Sequence, residues 1–316
     1  MATDLVERLR AAGRAVAGSA PVRWARRHKR ALAIAVMVAF FAFIIGYIAL
    51  NPSIIDDVLS VGWGTLALLL GLYTVILVTH FGILESTIRL SGHRLPFGEG
   101  LLLTVYSTVS NFFGPLQSGP GIRAAYLKTR LGMRLRDYTY ATLYYFFVFA
   151  VLNGALLFCT TLPWLSALGL VVGAVLIVIV VRRVGLSHRW PQLAAIGAVT
   201  VAQVFIMATI YFVEINAVGT GAYTFAQAIV YSASANLSLF VSITPGAIGF
   251  REGFLIFAEG LHGVPVDTIV AAGIVDRAFY ALFLGLLFVI SSIFHVGRML
   301  RAKSGTELDR DAVDGE

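Results

Sequence analysis

Of the 316 residues, 58% are apolar and 13% charged, with 24 Lys and Arg against 17 Asp and Glu for a formal net charge of +7. Soluble domains carry roughly 25% charged residues, and the apolar residues here run in uninterrupted blocks, so a soluble-domain fold is excluded. The lone Cys159 excludes an intrachain disulfide framework and a cysteine-based zinc site. The basic residues gather in short loops between apolar blocks, which points to membrane orientation and anionic headgroups and away from nucleic acid.

Residues 1–30 form a basic segment with Arg8, Arg10, Arg14, Arg23, Arg26, Arg27, Lys29 and Arg30. The stretch VERLRAAGRAV has rough amphipathic spacing suited to a surface helix, and a solvated leader fits it equally well. Ala31–Leu50 is free of charge over its whole length. Twenty helical residues cover about 30 Å, the thickness of a bilayer's hydrocarbon core. The block is too long for a secretory h-region, so it is expected to be a first span. Further spans are predicted over about Thr65–Ile83, Thr139–Leu157, Leu168–Val181, Leu193–Val213 and Val266–Phe294. The tail Arg301–Glu316 is polar and mixed in charge, and is expected to lack order.

Two other apolar segments are interrupted. Residues 97–127 contain SNFFGPLQSGPGIR, with Pro115, Gly119, Pro120 and Gly121; residues 223–262 contain SITPGAIGFREG, with Pro245, Gly246 and Gly249. Glycine and proline at this density leave backbone groups unpaired, which hydrocarbon tolerates only beside protein or a wet cavity. Loop charges choose among topologies. With a cytoplasmic N-terminus, Asp56 and Asp57 fall outside. Arg89, Arg94, Lys128, Arg130, Arg134, Arg136, Arg182, Arg183 and Arg189 fall inside, while Glu214 lies in an outer loop. The first interrupted segment then has two inner ends and the second two outer ends. The predicted fold is therefore all-α and membrane-integral: six transmembrane helices plus two oppositely oriented re-entrant helical hairpins, within a transmembrane domain over residues 31–295 and with a polar cytoplasmic tail over residues 296–316.

An internal repeat supports the symmetry. A shift of 125 positions aligns Val105-Tyr106-Ser107 with Val230-Tyr231-Ser232, Asn111 with Asn236, and Pro120-Gly121 with Pro245-Gly246. Three spans separate the copies, and an odd number inverts them. Inverted repeats whose broken helices meet near the midplane are the arrangement of many secondary transporters; close helix packing at small residues is the plainer explanation.

Arg123 and Arg251 each follow a break, where the first turn of an outgoing half-helix favours an anion and a guanidinium adds a bidentate donor for phosphate. Snorkelling to the interface is the competing role for Arg123. Glu252 is placed to pair with a basic group or to select a cationic headgroup. Asp276 and Arg277 sit about 15 Å into the last span at 1.5 Å per residue, where charge is costly unless paired or facing a wet path. Asp276 is expected to meet an arginine, and Arg277 a carboxylate such as Glu252 or a lipid phosphate; a buried pair that serves packing alone is the alternative. Asn111, Asn236, Ser107 and Ser232 are expected to bind broken backbone or substrate oxygens near the hairpin tips. His80 and Glu85 read as interface residues, and the YYFF run Tyr144–Phe147 as lipid-facing or packing. No catalytic residue, metal site or cofactor is predicted: nucleophile–base spacing is absent, and so are zinc, EF-hand and nucleotide-loop signatures.

The segments Asn111–Gly132, NFFGPLQSGPGIRAAYLKTRLG, and Asn236–Gly263, NLSLFVSITPGAIGFREGFLIFAEGLHG, resemble the flippase-like transmembrane domain of lysylphosphatidylglycerol synthases and of membrane proteins that carry this domain alone. The resemblance extends over most of the chain and is strongest at PGAIGFREG and around Asp276-Arg277. It implies a prokaryotic cytoplasmic membrane with both termini inside, and movement of a phospholipid or prenyl-linked lipid between leaflets. Pro120 stands where the family motif usually has an acidic residue, so the headgroup handled there is not carried over. Neither terminus has room for the aminoacyl-transferase domain, so lipid aminoacylation is not expected. Lipid translocation is the expected function, against a non-catalytic scaffold or regulator of envelope synthesis and an intramembrane enzyme acting on a lipid phosphate. A homo-oligomer is compatible with all three.

Overall fold

The computed structural model describes residues 61–113, 118–219, 221–240 and 250–313. The basic segment over residues 1–30, the expected span Ala31–Leu50, and the break residues Pro115, Pro245, Gly246 and Gly249 lie outside the described residues, as does the side chain of Glu252. Among the described residues the architecture is all-helical and without strands: α1 (Trp63–Leu90), α2 (Phe97–Phe113), α3 (Gly119–Leu131), α4 (Leu135–Leu157), α5 (Pro163–Val184), α6 (Trp190–Val218), α7 (Phe225–Ser238), α8 (Phe250–Phe257), α9 (Glu259–His262) and α10 (Val266–Val313).

Local chemistry sets these boundaries. Pro163 and Pro191 sit in the first turns of α5 and α6, where the missing N–H has no helical partner to lose. Thr224 and Gln227 form a reciprocal capping box at the start of α7. Gly185 ends α5 at φ 77°, behind Arg182 and Arg183 in the last turn, a left-handed cap that a side chain would strain. The polar tail differs from expectation, since α10 continues to Val313. Its Arg, Ala, Lys, Glu and Leu residues are strong helix formers, which carry the helix past the apolar part.

Among the described residues, five helices are long and apolar enough to cross a membrane: α1, α4, α5, α6 and the Val266–Ser291 part of α10. This is the architecture of a multi-pass membrane protein. In α5, only 17% of the most apolar stretch is buried, and Leu168, Val171, Val175 and Ile179 are exposed. Each such side chain left in water forfeits about 1.5–3 kcal/mol, so the face is suited to lipid. The apolar cores lie where helices cross. Leu69, Ile210, Val275 and Leu284 join α1, α6 and α10; Ile215, Ala228, Leu255 and Ile269 join α6, α7, α8 and α10; Leu84, Leu103, Leu127 and Tyr138 join α1 to α4.

In both interrupted segments the flanking helices pack on each other. In α2 and α3, Tyr126 donates to Glu99 at 3.0 Å, the Arg123 Nε donates to the Ser107 hydroxyl at 2.6 Å, and the Ser118 hydroxyl donates to the Ser110 carbonyl at 2.7 Å. The pairs run in opposite directions along the two helices, so α2 and α3 are antiparallel. A Cβ on Gly119 would stand 2.5 Å from the Ser107 carbonyl oxygen, which explains glycine there as a contact requirement. In the second segment Leu255 of α8 shares an apolar cluster with Ala228 and Tyr231 of α7, and the His262 ring lies edge-on to Tyr231 at 5.2 Å.

Two predictions follow from this packing. Gly119→Ala should lower stability by about 1–3 kcal/mol through overpacking, read as a lower thermal midpoint in detergent. Gly121→Ala, where an added Cβ meets nothing within 4 Å, should show no loss; equal midpoints would refute the close approach. His262 accepts the Val264 N–H at Nδ1 and faces the Leu255 carbonyl through Nε2, so the neutral Nε2–H tautomer satisfies both. Burial lowers its pKa, opposed by the Leu255 carbonyl and the charge of Glu259. The stability it contributes is therefore complete above the unfolded value of about 6.5 and is lost as pH falls below it. The thermal midpoint should drop more steeply between pH 7 and 5 in the native chain than in His262→Gln.

Candidate functional site

A cavity of about 250 Å³ opens between the two interrupted segments, walled by α1, α2, α3, α4, α6 and α10, by Leu239 and Phe240 after α7, and by Arg251 of α8. Its walls are mainly apolar, and its polar groups collect in two places. Tyr73 and His80 mark them on α1, seven residues and about 10.5 Å apart along one face. On α6, Glu214 and Gln203 face the same two positions from the opposite direction, because α1 and α6 pack antiparallel.

The first group surrounds Arg123. Its Nε donates to Ser107, and among the described residues no carboxylate pairs with it. Gln203 ties the neighbouring side chains together: the Tyr145 hydroxyl donates to its Oε1 at 3.3 Å, and its amide lies 3.0 Å from His80 Nε2. If that amide donates, His80 carries its proton on Nδ1, and this nitrogen and the Asn111 Oδ1 have no hydrogen-bond partner among the described residues. Among the described residues Arg123 is thus a cation without a counter-charge, on the wall of a cavity that also holds these unfilled polar atoms.

The second group surrounds Arg251. The Arg251 Nη1 donates to Asp276 Oδ2, and the guanidinium lies over the Tyr211 ring with its carbon 5.0 Å from the centroid, a cation–π contact. Its Nε and Nη2 have no partner among the described residues. The Tyr73 hydroxyl lies 2.9 Å from Glu214 Oε1 and 3.3 Å from Asp276 Oδ1. Four helices therefore meet through charge: Tyr73 from α1, Glu214 from α6, Arg251 from α8 and Asp276 from α10.

The structure sorts the sequence candidates. Arg123, Ser107, Asn111, Gly119, Pro120, Arg251, Asp276 and Arg277 line the cavity. Gly121 is exposed and does not. Asn236 and Ser232 differ from expectation: both are buried away from the cavity, with the Asn236 amide donating to Asn153 of α4 at 2.9 Å and to Ser232 at 3.3 Å. The repeated positions face α4 in the second copy because α7 is packed within the bundle, whereas α2 borders the cavity. Glu214 is not in an outer loop but fully buried within α6. His80 lines the cavity in place of the interface, and Tyr145 and Phe146 of the YYFF run also line it. Tyr144 packs against an apolar cluster and Phe147 is exposed, and Glu85 keeps a surface role, bridging to Arg89 at 2.8 Å. No group of three or more potential metal ligands occurs among the described residues.

Removing one partner of a buried ion pair strands the other charge, at a cost of about 3–5 kcal/mol. Arg251→Met and Asp276→Leu should each lower the thermal midpoint strongly, while the double variant should recover part of the loss. Additive losses in that double-mutant cycle would show that the pair contributes no coupling. No family model matches the chain, and no curated protein matches it.

Proposed function

We propose that the chain moves a phosphate-bearing lipid between the leaflets of a prokaryotic cytoplasmic membrane, with both termini on the cytoplasmic side. The first span, α1, α4, α5, α6 and α10 cross the membrane, and the α2–α3 and α7–α8 segments enter as re-entrant hairpins from opposite faces. The observation that carries this reading is Arg123: a guanidinium with no ion-pair partner among the described residues, on the wall of a cavity inside a bundle whose outer faces suit lipid. A cation held there is costly unless an anion visits it. Phosphate is the anion that matches a planar donor fork. Arg251, with two unfilled donors among the described residues, supplies a second station on the wall of the same cavity. The headgroup passes from one arginine to the other while its tails remain in hydrocarbon. The resemblance to the flippase-like domain of lysylphosphatidylglycerol synthases points the same way.

The test is reconstitution in liposomes with fluorescent phosphatidylglycerol and a one-sided quencher. Headgroup movement should be faster than in protein-free liposomes, and Arg123→Ala should slow it by about 10- to 100-fold, the equivalent of a charged hydrogen bond worth roughly 1.5–3 kcal/mol. Arg123→Lys should recover part of the rate by keeping the charge without the fork. Native protein no faster than empty liposomes would overturn translocation, whereas Arg123→Ala at the native rate would overturn only the role of this arginine.

A further inference from the structure

The cluster around Arg251 contains one carboxyl group more than its charge balance accommodates. Glu214 is fully buried. Its Oε1 takes the Tyr73 hydroxyl at 2.9 Å, and its Oε2 has no hydrogen-bond partner among the described residues. Its carboxyl and that of Asp276 face the same Tyr73 hydroxyl, and two ionised carboxylates are acceptors only and cannot bond to one another. Tyr73 has a single proton to donate and two carboxylates facing it, at 2.9 and 3.3 Å. Among the described residues, the charged and titratable groups around Glu214 and Asp276 are Tyr73 from α1, Arg251 from α8, Tyr211 on the helix of Glu214 and Tyr280 on that of Asp276, with Tyr231 of α7 behind Tyr211 and Arg277 next to Asp276 on the cavity wall. Arg251 is already ion-paired to Asp276.

We infer that Glu214 and Asp276 share a bound proton, and that this proton couples lipid movement to the proton gradient. Two carboxyls at one buried site cannot both ionise, so one proton neutralises the group of Glu214, Asp276 and Arg251. A second proton taken up by the carboxyl pair releases Arg251, whose guanidinium then turns the donors left without a partner among the described residues to the lipid phosphate. Phosphate arrival and proton uptake therefore favour each other, and by linkage each raises the affinity for the other equally. The protein becomes a symporter of a lipid anion with a proton. No covalent bond changes; the proton moves between water and the carboxyl pair. This rests on the lipid-translocation reading, and on Glu214 as an addition to it.

The proton site is tested without transport. Infrared difference spectra of the intact protein in nanodiscs should show, at neutral pH, a protonated-carboxyl stretch that is absent from Glu214→Gln. Spectra identical for the two forms overturn the shared proton. Coupling is tested in liposomes of phosphatidylglycerol with an imposed pH gradient. At one proton per lipid, each pH unit should shift the steady-state leaflet ratio of labelled lipid about tenfold, since one unit is 1.36 kcal/mol. The ratio should be insensitive to the gradient in Glu214→Gln, and a sodium gradient should have no effect on either form. A ratio that follows sodium and ignores pH overturns the proton coupling and leaves translocation standing. If labelled lipid fails to move in every arm, translocation and coupling fall together, and the shared proton is decided by the infrared band alone.

Discussion

A charge placed among apolar helices must find an opposite charge, a hydrogen-bond partner or water. In this protein that requirement is met at one junction, where Arg251, Asp276, Glu214 and Tyr73 converge from α8, α10, α6 and α1. Each of these helices otherwise presents apolar faces that slide against neighbours with little preference. The polar junction specifies which faces meet and at what height. It also brings the short α8 against the long spans, although α8 alone is only eight residues, too short to hold a position by its own helical stability.

The cavity follows from how the interrupted segments are held. Gly119 lets the start of α3 touch the backbone of α2, so Arg123 is drawn against Ser107 and its guanidinium faces the space between α2, α3 and α4. The Arg251 side chain enters the same space from α8. The two arginines then differ in electrostatic state. Arg251 is paired and lies over an aromatic ring, while Arg123 has a hydroxyl for company and no carboxylate among the described residues. Two interrupted segments that each carry an arginine after the break thus present it in unlike surroundings. Under the proposed function, a visiting anion would gain different things at each.

Much of the architecture was legible in one dimension. Apolar blocks mark α1, α4, α5, α6 and α10 in the sequence, with ends displaced by up to seven residues, and by 19 at the end of α10, because capping and helix propensity, not apolarity, stop a helix. Asp276 and Arg251 stood out because ions in apolar segments are rare. Glu214 drew no such attention: it lies four residues before the end of α6, where a linear reading assigns it to water. His80 and Tyr145 were likewise read from helix position and composition, when only the rotation of α1 and α4 decides that they face inward. The repeat misled at Asn236 and Ser232, since identical residues in two copies meet different neighbours once one copy is enclosed.

Sequence alone determined that the chain is apolar enough for a membrane, where its helices lie, and which segments are broken. These properties depend on summed transfer energies and local backbone rules, which need no partner. Tertiary structure decided which arginine is neutralised, that Glu214 is buried against Asp276, and that a space remains between the interrupted segments. Those outcomes depend on distances of a few ångströms between residues as much as 203 positions apart, such as Tyr73 and Asp276. At that range electrostatic and hydrogen-bond energies are won or lost within the width of one atom.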